Sequence, residues 1–201
     1  VDGTYTDAAG KDMYLFVEHK DHGLKMMGNY TFPSLTQTYM APGGQTAFED
    51  EDGKLYLVYH QRFAKTGEFH EPRVHQLFRT KDGWLVAAPF ATDGETLKED
   101  GYSEDEIKGT FYLVNHGTDI SDKVHKPQRI QLNADGTVTG EELEGTWEAE
   151  EGTPYIDVTL GENTYTGVVL EMTDEAGNDT MCFSAKGDNN ETIWGVKYLL
   201  P

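Results

Sequence analysis

The sequence has little of what stabilises or anchors many proteins. Cysteine occurs once, at Cys182, which excludes an internal disulfide and leaves the redox compartment open. No apolar run approaches the roughly 20 residues that a transmembrane helix needs. Basic residues are also scarce, with 16 Lys and Arg against 36 Asp and Glu, so the net charge is −20. Such a surface repels phosphate backbones and anionic lipids, which disfavours a nucleic-acid or membrane-surface role.

Helix signals are nearly absent too. The best of them is Ser103, a serine cap ahead of the acidic turn Glu104–Ile107, and it supports only about one helical turn. The 201 residues are nevertheless 37% hydrophobic and 11% aromatic, which is enough to form a buried core. Nearly all of the remaining chain consists of short β runs separated by Gly, Asp and Asn turns. The sequence therefore predicts an all-β protein.

The first half contains one ordered series of strands. Its four runs are Ala47–Glu49, Lys54–His60, Arg73–Arg79 and Trp84–Ala87. Four antiparallel strands joined in sequence over roughly 45 residues are typical of one blade of a β-propeller, whereas residues 1–42 look irregular. A lone blade cannot bury both of its faces, because stacked repeats form a continuous core only with their neighbours. We therefore expect residues 1–92 to be part of a propeller and to need further blades.

The second half has a different pattern of polar and apolar residues. From about Lys108 onward, runs such as Tyr155–Leu160 and Thr192–Lys197 alternate polar and apolar residues at regular spacing. This pattern predicts an antiparallel barrel or sandwich with a single core. The acidic stretch before it is the natural boundary, so we divide the chain into residues 1–92, a linker at 93–107 and a barrel domain at 108–201.

Several segments resemble a known enzyme family. Gly28-Asn29-Tyr30, Ala41-Pro42-Gly43-Gly44, Leu57–Phe63, His70–Leu77 and Gly83–Pro89 are similar to the last blade of the extracellular endo-α-1,5-L-arabinanases of glycoside hydrolase family 43. Gly109-Thr110-Phe111, Asn115–Ile120 and Ile193-Trp194-Gly195 resemble the C-terminal β-barrel domain of the longer bacterial members. The resemblance covers essentially the whole chain in the same order.

This resemblance implies a secreted, extracellular enzyme whose five-bladed propeller hydrolyses α-1,5-linked arabinan, a side chain of pectin, with inversion. Such chemistry needs a carboxylate base, a carboxylic acid and room for a water between them. In the family these groups come from earlier blades, and the opening segment Asp2–Gly10 resembles sequence just downstream of them. We therefore assign no catalytic residue in this chain and expect the chain alone to be inactive. The missing blades would be a second polypeptide or sequence lost upstream of this chain.

One position of chemical importance in the family falls inside the chain. A Gly-His-Asn motif on the innermost strand of the last blade places a histidine near a calcium or other metal ion in the channel. Here the motif reads Gly44-Gln45-Thr46. The Gln45 carbonyl oxygen suits Ca²⁺ but carries no charge. The resemblance thus implies Gln45 as a metal contact; the alternative is that it lines the channel and bonds to water.

Three residues are candidate contacts for the arabinan. Thr46 lies in the channel motif, Tyr39 precedes it and offers an aromatic ring for stacking on a sugar, and Arg62 lies at a strand end where blades present loops. The alternatives are that Tyr39 packs between blades, and that the blade arginines pair with carboxylates such as Glu71 or Asp82.

The barrel leaves a second class of function open. Its tryptophans, Trp147 and Trp194, could form a carbohydrate-binding face, but buried strand tryptophans usually serve the core. The domain is therefore either a non-catalytic carbohydrate-binding module or a structural unit that stabilises the propeller. Cys182, without a histidine nearby in sequence, is expected to be a buried and inert thiol.

Overall fold

The computed structural model describes residues 23–67 and 69–197, together with the backbone of two short N-terminal strands. These strands, β1 (Tyr5–Thr6) and β2 (Asp12–Met13), pair antiparallel with each other. Apart from the backbone of β1, the opening segment Asp2–Gly10 lies outside the described residues.

The rest of the described chain forms a six-stranded sheet and a closed barrel. The sheet contains β3 (Asn29–Tyr30), β4 (Tyr39–Glu49), β5 (Leu55–Phe63), β6 (His70–Arg79), β7 (Leu85–Ala87) and β9 (Val124–His125). The barrel contains β8 (Gly109–Asn115), β10 (Gln128–Leu132), β11 (Thr137–Gly140), β12 (Glu144–Ala149), β13 (Tyr155–Leu160), β14 (Asn163–Thr173), β15 (Asp179–Gly187) and β16 (Thr192–Lys197). One helix, α1 (Glu104–Ile107), joins the two parts. The all-β prediction is confirmed.

Strands β4 to β7 form the predicted blade, with each strand antiparallel to the next. The inner strand β4 differs from the prediction, because it begins at Tyr39 and runs through a Pro-Gly-Gly sequence that reads as a turn. Two irregularities in the pairing with β5, on either side of Gly43, absorb this sequence. Gly44 has a φ of +60°, a conformation that favours glycine.

A strand from the barrel half completes the blade sheet. Strand β9 pairs in parallel with β3, so that Asn29 lies opposite Val124 and Tyr30 opposite His125. The final order is β7-β6-β5-β4-β3-β9. The two halves of the chain are therefore joined by backbone hydrogen bonds as well as by the connecting segment.

The barrel is closed by eight antiparallel strands in the order β10-β11-β12-β13-β14-β15-β16-β8. In β13 every second residue is buried, as expected for a strand with one face inward and one toward solvent. The interior is filled by large apolar side chains that include Phe111, Ile130, Val158 and Phe183. Trp147 belongs to this core, as predicted.

A second core lies between the blade and the outer wall of the barrel, and we call this contact the junction. In β15 every residue after Asp179 is buried, because the strand faces the barrel interior on one side and the blade on the other. The wall contributes Val114, Val168, Leu170, Cys182 and Trp194. Their blade partners include Tyr30, Tyr59, Leu77 and Val86. The barrel therefore has the single interior core that was expected, and the junction adds a second core shared with the blade.

Polar contacts reinforce the junction. The Ser184 hydroxyl donates to the carbonyl oxygen of Ala87 at 2.8 Å, and the Thr192 hydroxyl donates to that of Lys25 at 2.7 Å. The Lys186 ammonium lies 2.7 Å from the Asp82 carboxylate. Cys182 is fully buried here, and burial raises the pKa of its thiol well above the ordinary value, so the predicted inert thiol is consistent with the structure.

The short helix begins as the sequence indicates. The Ser103 hydroxyl accepts the Glu106 backbone N–H, and the Glu106 carboxylate accepts the Ser103 N–H at 2.8 Å, which completes a capping box. The hydrogen bond from the Ser103 hydroxyl to this carboxylate is the main cause that lowers the pKa of Glu106 to about 2. Among the described residues, no helix is long and apolar enough to cross a membrane.

The close approach of β14 and β15 gives a stability prediction. A Cβ added at Gly167 would lie 2.0 Å from the Ser184 carbonyl oxygen. We expect Gly167→Ala to lower the free energy of unfolding by about 2–3 kcal/mol through overpacking. The matched control is Gly152→Ala, which has a φ of +72° but nothing within 4 Å, and which should cost only about 1 kcal/mol of backbone strain. Urea unfolding of both variants tests this, and equal losses would contradict it.

Candidate functional site

The candidate site lies on strand β4, whose outer edge is largely free. Strand β3 pairs with β4 only through Tyr30 and Tyr39, so the remainder of β4 has β5 as its strand partner within the described residues. Residues 44–49 are all exposed. Gln45 and Thr46, the predicted metal and substrate contacts, lie on this free stretch.

His60 packs against the two glycines of the motif. A Cβ on Gly43 would lie 3.1 Å from His60 Nε2, and one on Gly44 would lie 2.8 Å from His60 Nδ1. The imidazole can therefore rest on the strand only because both positions lack a side chain. The rings of His60 and His70 are neighbours, with centroids 5.1 Å apart.

The part of the chain that the structure describes holds no group of three or more His, Cys, Asp or Glu side chains arranged to bind a metal ion. A calcium ion at Gln45 would need its charged ligands from elsewhere. The contact of Gln45 with a metal stays a prediction.

Tyr39 is enclosed at the junction. Its ring packs between those of Tyr30 and Phe63, at centroid distances of 5.1 and 5.4 Å. Its hydroxyl donates to Glu175 Oε1 of the barrel at 2.7 Å and accepts from Arg73 Nε at 3.2 Å. Burial is the main cause that raises the pKa of Tyr39 to about 12. Substrate contact by Tyr39 stays a prediction, and the observed contacts are those of a packing residue.

The two blade arginines differ in their environments. Arg73 pairs with Glu71 at 2.8 Å, which confirms the carboxylate pairing expected for it, and its guanidinium lies 5.1 Å from the centre of the Phe63 ring. Arg62 is half-buried and lies opposite Met40 and His70 in the sheet. It therefore sits at the same end of the blade as the start of β4, and its role in substrate binding stays a prediction.

One face of the blade is only partly covered. On β5, the residues that face the barrel are buried, whereas those on the opposite face are half-buried. This second face, which we call the open face, carries Thr46, Phe48, Tyr56, Val58 and Val74, placed together by the pairing of β4, β5 and β6. Phe48 is 47% exposed and stacks on Tyr56 with centroids 5.1 Å apart. An apolar sheet face of this kind is typical of a contact surface.

The sequence did not single out a polar network at one mouth of the barrel, beside a cavity of about 980 Å³. Glu191 Oε2 accepts hydrogen bonds from Tyr165 at 2.7 Å and from Asn115 and Asn189 at 2.9 Å each. These residues come from separate strands and turns and share no sequence motif. Because their donors converge on one carboxylate, the network primarily ties the strand ends together.

The barrel tryptophans are both buried. Trp147 donates its Nε1–H to the carbonyl oxygen of Asn133 at 2.8 Å, and Trp194 lies at the junction with no exposed surface. Neither presents an aromatic face to solvent. Their predicted structural role agrees with this placement.

These features define a class of protein: a propeller blade with a free inner strand and an open face, packed on the outside of an accessory eight-stranded barrel. The sequence matches the family GH43_C, C-terminal lipocalin-like domain, over residues 89–195. The chain belongs to this family. The match begins inside the blade half, just after β7.

Two curated relatives extend the similarity to nearly the whole chain. The extracellular endo-alpha-(1->5)-L-arabinanase 2 of Bacillus subtilis is 41% identical over 211 residues, covering 98% of this chain and 44% of the relative. The extracellular endo-alpha-(1->5)-L-arabinanase of Thermotoga petrophila is 35% identical over 209 residues, covering 97% of this chain and 44% of the relative. The chain thus spans less than half the length of these relatives.

Solved structures show the same architecture. The crystal structure of a glycoside hydrolase family 43 protein from Bacillus licheniformis aligns with a TM-score of 0.83 and 36% identity, covering 99% of this chain and 47% of that one. The endo-1,5-alpha-L-arabinanase of Thermotoga petrophila aligns with a TM-score of 0.82 and 34% identity, covering 98% and 46%. The chain is therefore homologous to family 43 arabinanases.

The burial of Tyr39 gives an alkaline pH prediction. Its pKa in the folded state, about 12, lies above the ordinary value of 10.0, so the folded state retains a proton that the unfolded state loses. Stability should therefore fall as the pH rises from about 10 toward 12. We expect Tyr39→Phe to fall less steeply. Urea midpoints at pH 8 and pH 11 measure this, and parallel losses in the two proteins would contradict it.

Proposed function

We propose that this chain is the C-terminal part of a secreted glycoside hydrolase that cleaves α-1,5-linked L-arabinan of pectin with inversion. Its catalytic carboxylates would lie in the propeller blades that precede this segment in the relatives. The observation that carries the proposal is the blade with its free β4 edge and open face, in a chain homologous to arabinanases over nearly all of its length.

The open face supports a neighbouring blade as its partner. Phe48, Tyr56 and Val58 lie on one side of a sheet whose other side is already buried by the barrel. Burying an aromatic or branched apolar side chain contributes about 1.5–3 kcal/mol. Blades of a propeller stack face to face, so another blade supplies the matching apolar surface.

The carboxylates that this fold positions most closely are already engaged. Glu71 pairs with Arg73, Glu175 accepts from Tyr39, and Asp119 contacts Lys25. Inverting hydrolysis needs two carboxyl groups on opposite sides of the scissile bond, about 6.5–9.5 Å apart, with a water between one of them and the sugar. We therefore place both catalytic groups outside this chain.

In the complete protein, we propose that the free stretch of β4 faces the propeller channel. Gln45 would then offer its carbonyl oxygen to a Ca²⁺ ion whose charged ligands come from other blades, or would bond to channel water. Thr46, opposite Val58, and Arg62, opposite Met40 near the start of β4, would contact the arabinan at two points along the blade.

For the barrel, a stabilising role fits better than carbohydrate binding. Both of its tryptophans are buried, and the part of its outer wall formed by β8, β14, β15 and β16 is covered by the blade. A sugar-binding face needs an accessible aromatic ring, and among the described barrel residues the one strongly exposed large apolar side chain is Ile120. A non-catalytic carbohydrate-binding module remains the alternative function.

A chimaera tests the enzymatic proposal. The upstream part of the Bacillus subtilis relative, which this chain does not match, is joined to residues 1–201, and release of reducing ends from linear arabinan is measured. We expect hydrolysis by the chimaera and none by residues 1–201 alone. Activity of the isolated chain would overturn the placement of the carboxylates upstream. Arabinan binding by the isolated chain without activity of the chimaera would favour the binding module.

Two matched variants test the role of the open face. Phe48→Asp places a charge in the proposed blade contact and should lower the activity of the chimaera at least tenfold. Trp84→Asp removes another exposed aromatic, 57% accessible on the β6–β7 turn, and should leave activity within about twofold. If both variants behave alike, the open face is not the contact between blades.

A further inference from the structure

Every buried histidine among the described residues lies at the junction. His75 and His116 have no exposed surface, and His125 is 7% exposed. His75 belongs to β6 of the blade, whereas His116 follows β8 of the barrel half and His125 ends β9. The two parts of the protein therefore both contribute imidazoles to the contact between them.

The three rings are arranged around Trp194. The His75 ring lies parallel to the indole, with an interplanar angle of 17° and a centroid distance of 5.9 Å. The His116 ring stands nearly perpendicular to the indole at 4.2 Å, and the His125 ring is 6.3 Å from that of His116. Tyr30 of β3 packs edge-on against both Trp194 and His116.

The hydrogen bonds suit neutral imidazoles. His75 Nδ1 lies 2.6 Å from the Ala88 carbonyl oxygen and therefore carries the proton, which leaves Nε2 to accept from the Tyr59 hydroxyl at 3.0 Å. His116 Nδ1 accepts the Gly28 backbone N–H at 3.2 Å, so its proton is on Nε2, which has no hydrogen-bond partner among the described residues. If either ring took up a second proton, its acceptor nitrogen would become a donor, and the hydrogen bond from Tyr59 to His75 or from Gly28 to His116 would be lost.

The charges around the cluster oppose further protons. His125 Nε2 lies 3.3 Å from Asp119 Oδ1, but the Lys25 ammonium lies 3.4 Å from the same oxygen, and the Ser121 hydroxyl donates to the other oxygen of this carboxylate. Lys123 also acts on His125, and Glu191 on Lys25. On the blade side, Arg73 is the charged group that acts on His75. Asp119 is thus shared between Lys25, Ser121 and His125, so its negative charge is not available to His125 alone.

The direction of the pKa shifts agrees with this geometry. Burial, as the largest cause, lowers the pKa of His75 to about 4 and that of His116 well below its ordinary value. Burial and then Lys25 lower the pKa of His125. Each group is therefore neutral in the closed junction.

We propose that the junction is an acid-sensitive contact, in which protonation of His75, His116 and His125 below about pH 6 separates the blade from the barrel while the barrel stays folded.

Proton linkage determines how strongly, and in which direction, the pH changes the ratio of closed to open junction. A histidine exposed by opening takes up protons with a pKa near 6.5, whereas the closed junction binds them only at lower pH. Between these values, each pH unit lowers the closed-to-open ratio by up to tenfold for each histidine. For His75 alone, the interval from 6.5 to about 4 corresponds to a loss of about 300-fold. None of the eight barrel strands contains a histidine, so the strands that form the barrel lack a titrating imidazole.

Hydrogen exchange of the 201-residue chain tests this proposal. Protection is followed by NMR at pH 7 and pH 5 and corrected for the intrinsic pH dependence of exchange. We expect the Gly28 amide, which donates to His116, to lose protection at least 100-fold, while amides of the barrel strands around Ile130 and Val158 change less than threefold. Unchanged protection at Gly28, or equal losses at both places, would overturn the proposal.

Variants separate the histidine effect from general acid destabilisation. His75→Gln replaces one titrating ring with a neutral amide and should reduce the pH dependence of Gly28 protection between pH 7 and pH 5 by about 10-fold to 30-fold. His70→Gln removes an exposed histidine of the same strand and should leave it unchanged. If His75→Gln does not fold, the ¹⁵N imidazole shifts of the unmodified chain decide: titration of these rings near pH 6.5 with the junction still closed contradicts the proposal.

Discussion

The packing of the blade against the outer wall of the barrel is the contact on which the rest of this structure depends. The blade has no core of its own. One of its two faces is buried, and the residues that cover this face belong to the barrel. The barrel has its own interior, but β14, β15 and β16 also carry apolar side chains outward, and these are excluded from water only because the blade lies over them. The two halves thus share a core, in the physical sense that removing either exposes the apolar surface of the other.

This shared core also positions the candidate site. Tyr39, at the start of β4, is fixed by Glu175 of the barrel and by Arg73 of β6, which lies beyond β5 in the sheet. From that anchor, β4 runs past two pairing irregularities to Gln45 and Thr46. The barrel therefore acts on the site from a distance, by holding one end of the strand that carries it.

Much of this fold was readable in the sequence where one physical rule dominated. The alternation in Tyr155–Leu160 predicted a strand with one buried face, and the serine ahead of an acidic turn predicted the cap of α1. The sequence did not predict the elements whose burial or pairing depends on distant parts of the fold. Met181–Gly187 is buried throughout, so its pattern contains no period to read. The two-residue strands β3 and β9 are too short to show one, and their pairing joins residues 94 or more positions apart in the chain.

The site shows the same division. Gln45 and Thr46 were predicted from a resemblance and Arg62 from its place at a strand end. The structure puts Gln45 and Thr46 on the exposed stretch of β4, and Arg62 opposite Met40 near the start of that strand. The histidines of the junction had no such signal, because His75, His116 and His125 lie far apart in sequence and resemble ordinary strand or loop residues. Only the fold brings them to Trp194. The carbonyl that orients His75 comes from Ala88, a residue past the end of β7, and no spacing rule links the two.

The sheet order has a further consequence for the chain handled by itself. At one edge of the blade sheet lies β7, which has only three residues. At the other edge lies β9, which pairs with β3. Within the described part of the chain, the stretch of β4 from Gly44 to Glu49 pairs with β5 along one edge and has no strand along the other. An exposed and partly apolar strand edge of this kind is the usual template for association between copies. The adjoining turn, Asp50-Glu51-Asp52, is acidic, so two copies that paired along this edge would bring like charges together and repel each other. Solubility of the isolated segment then depends on charge repulsion, and salt that screens it favours self-association.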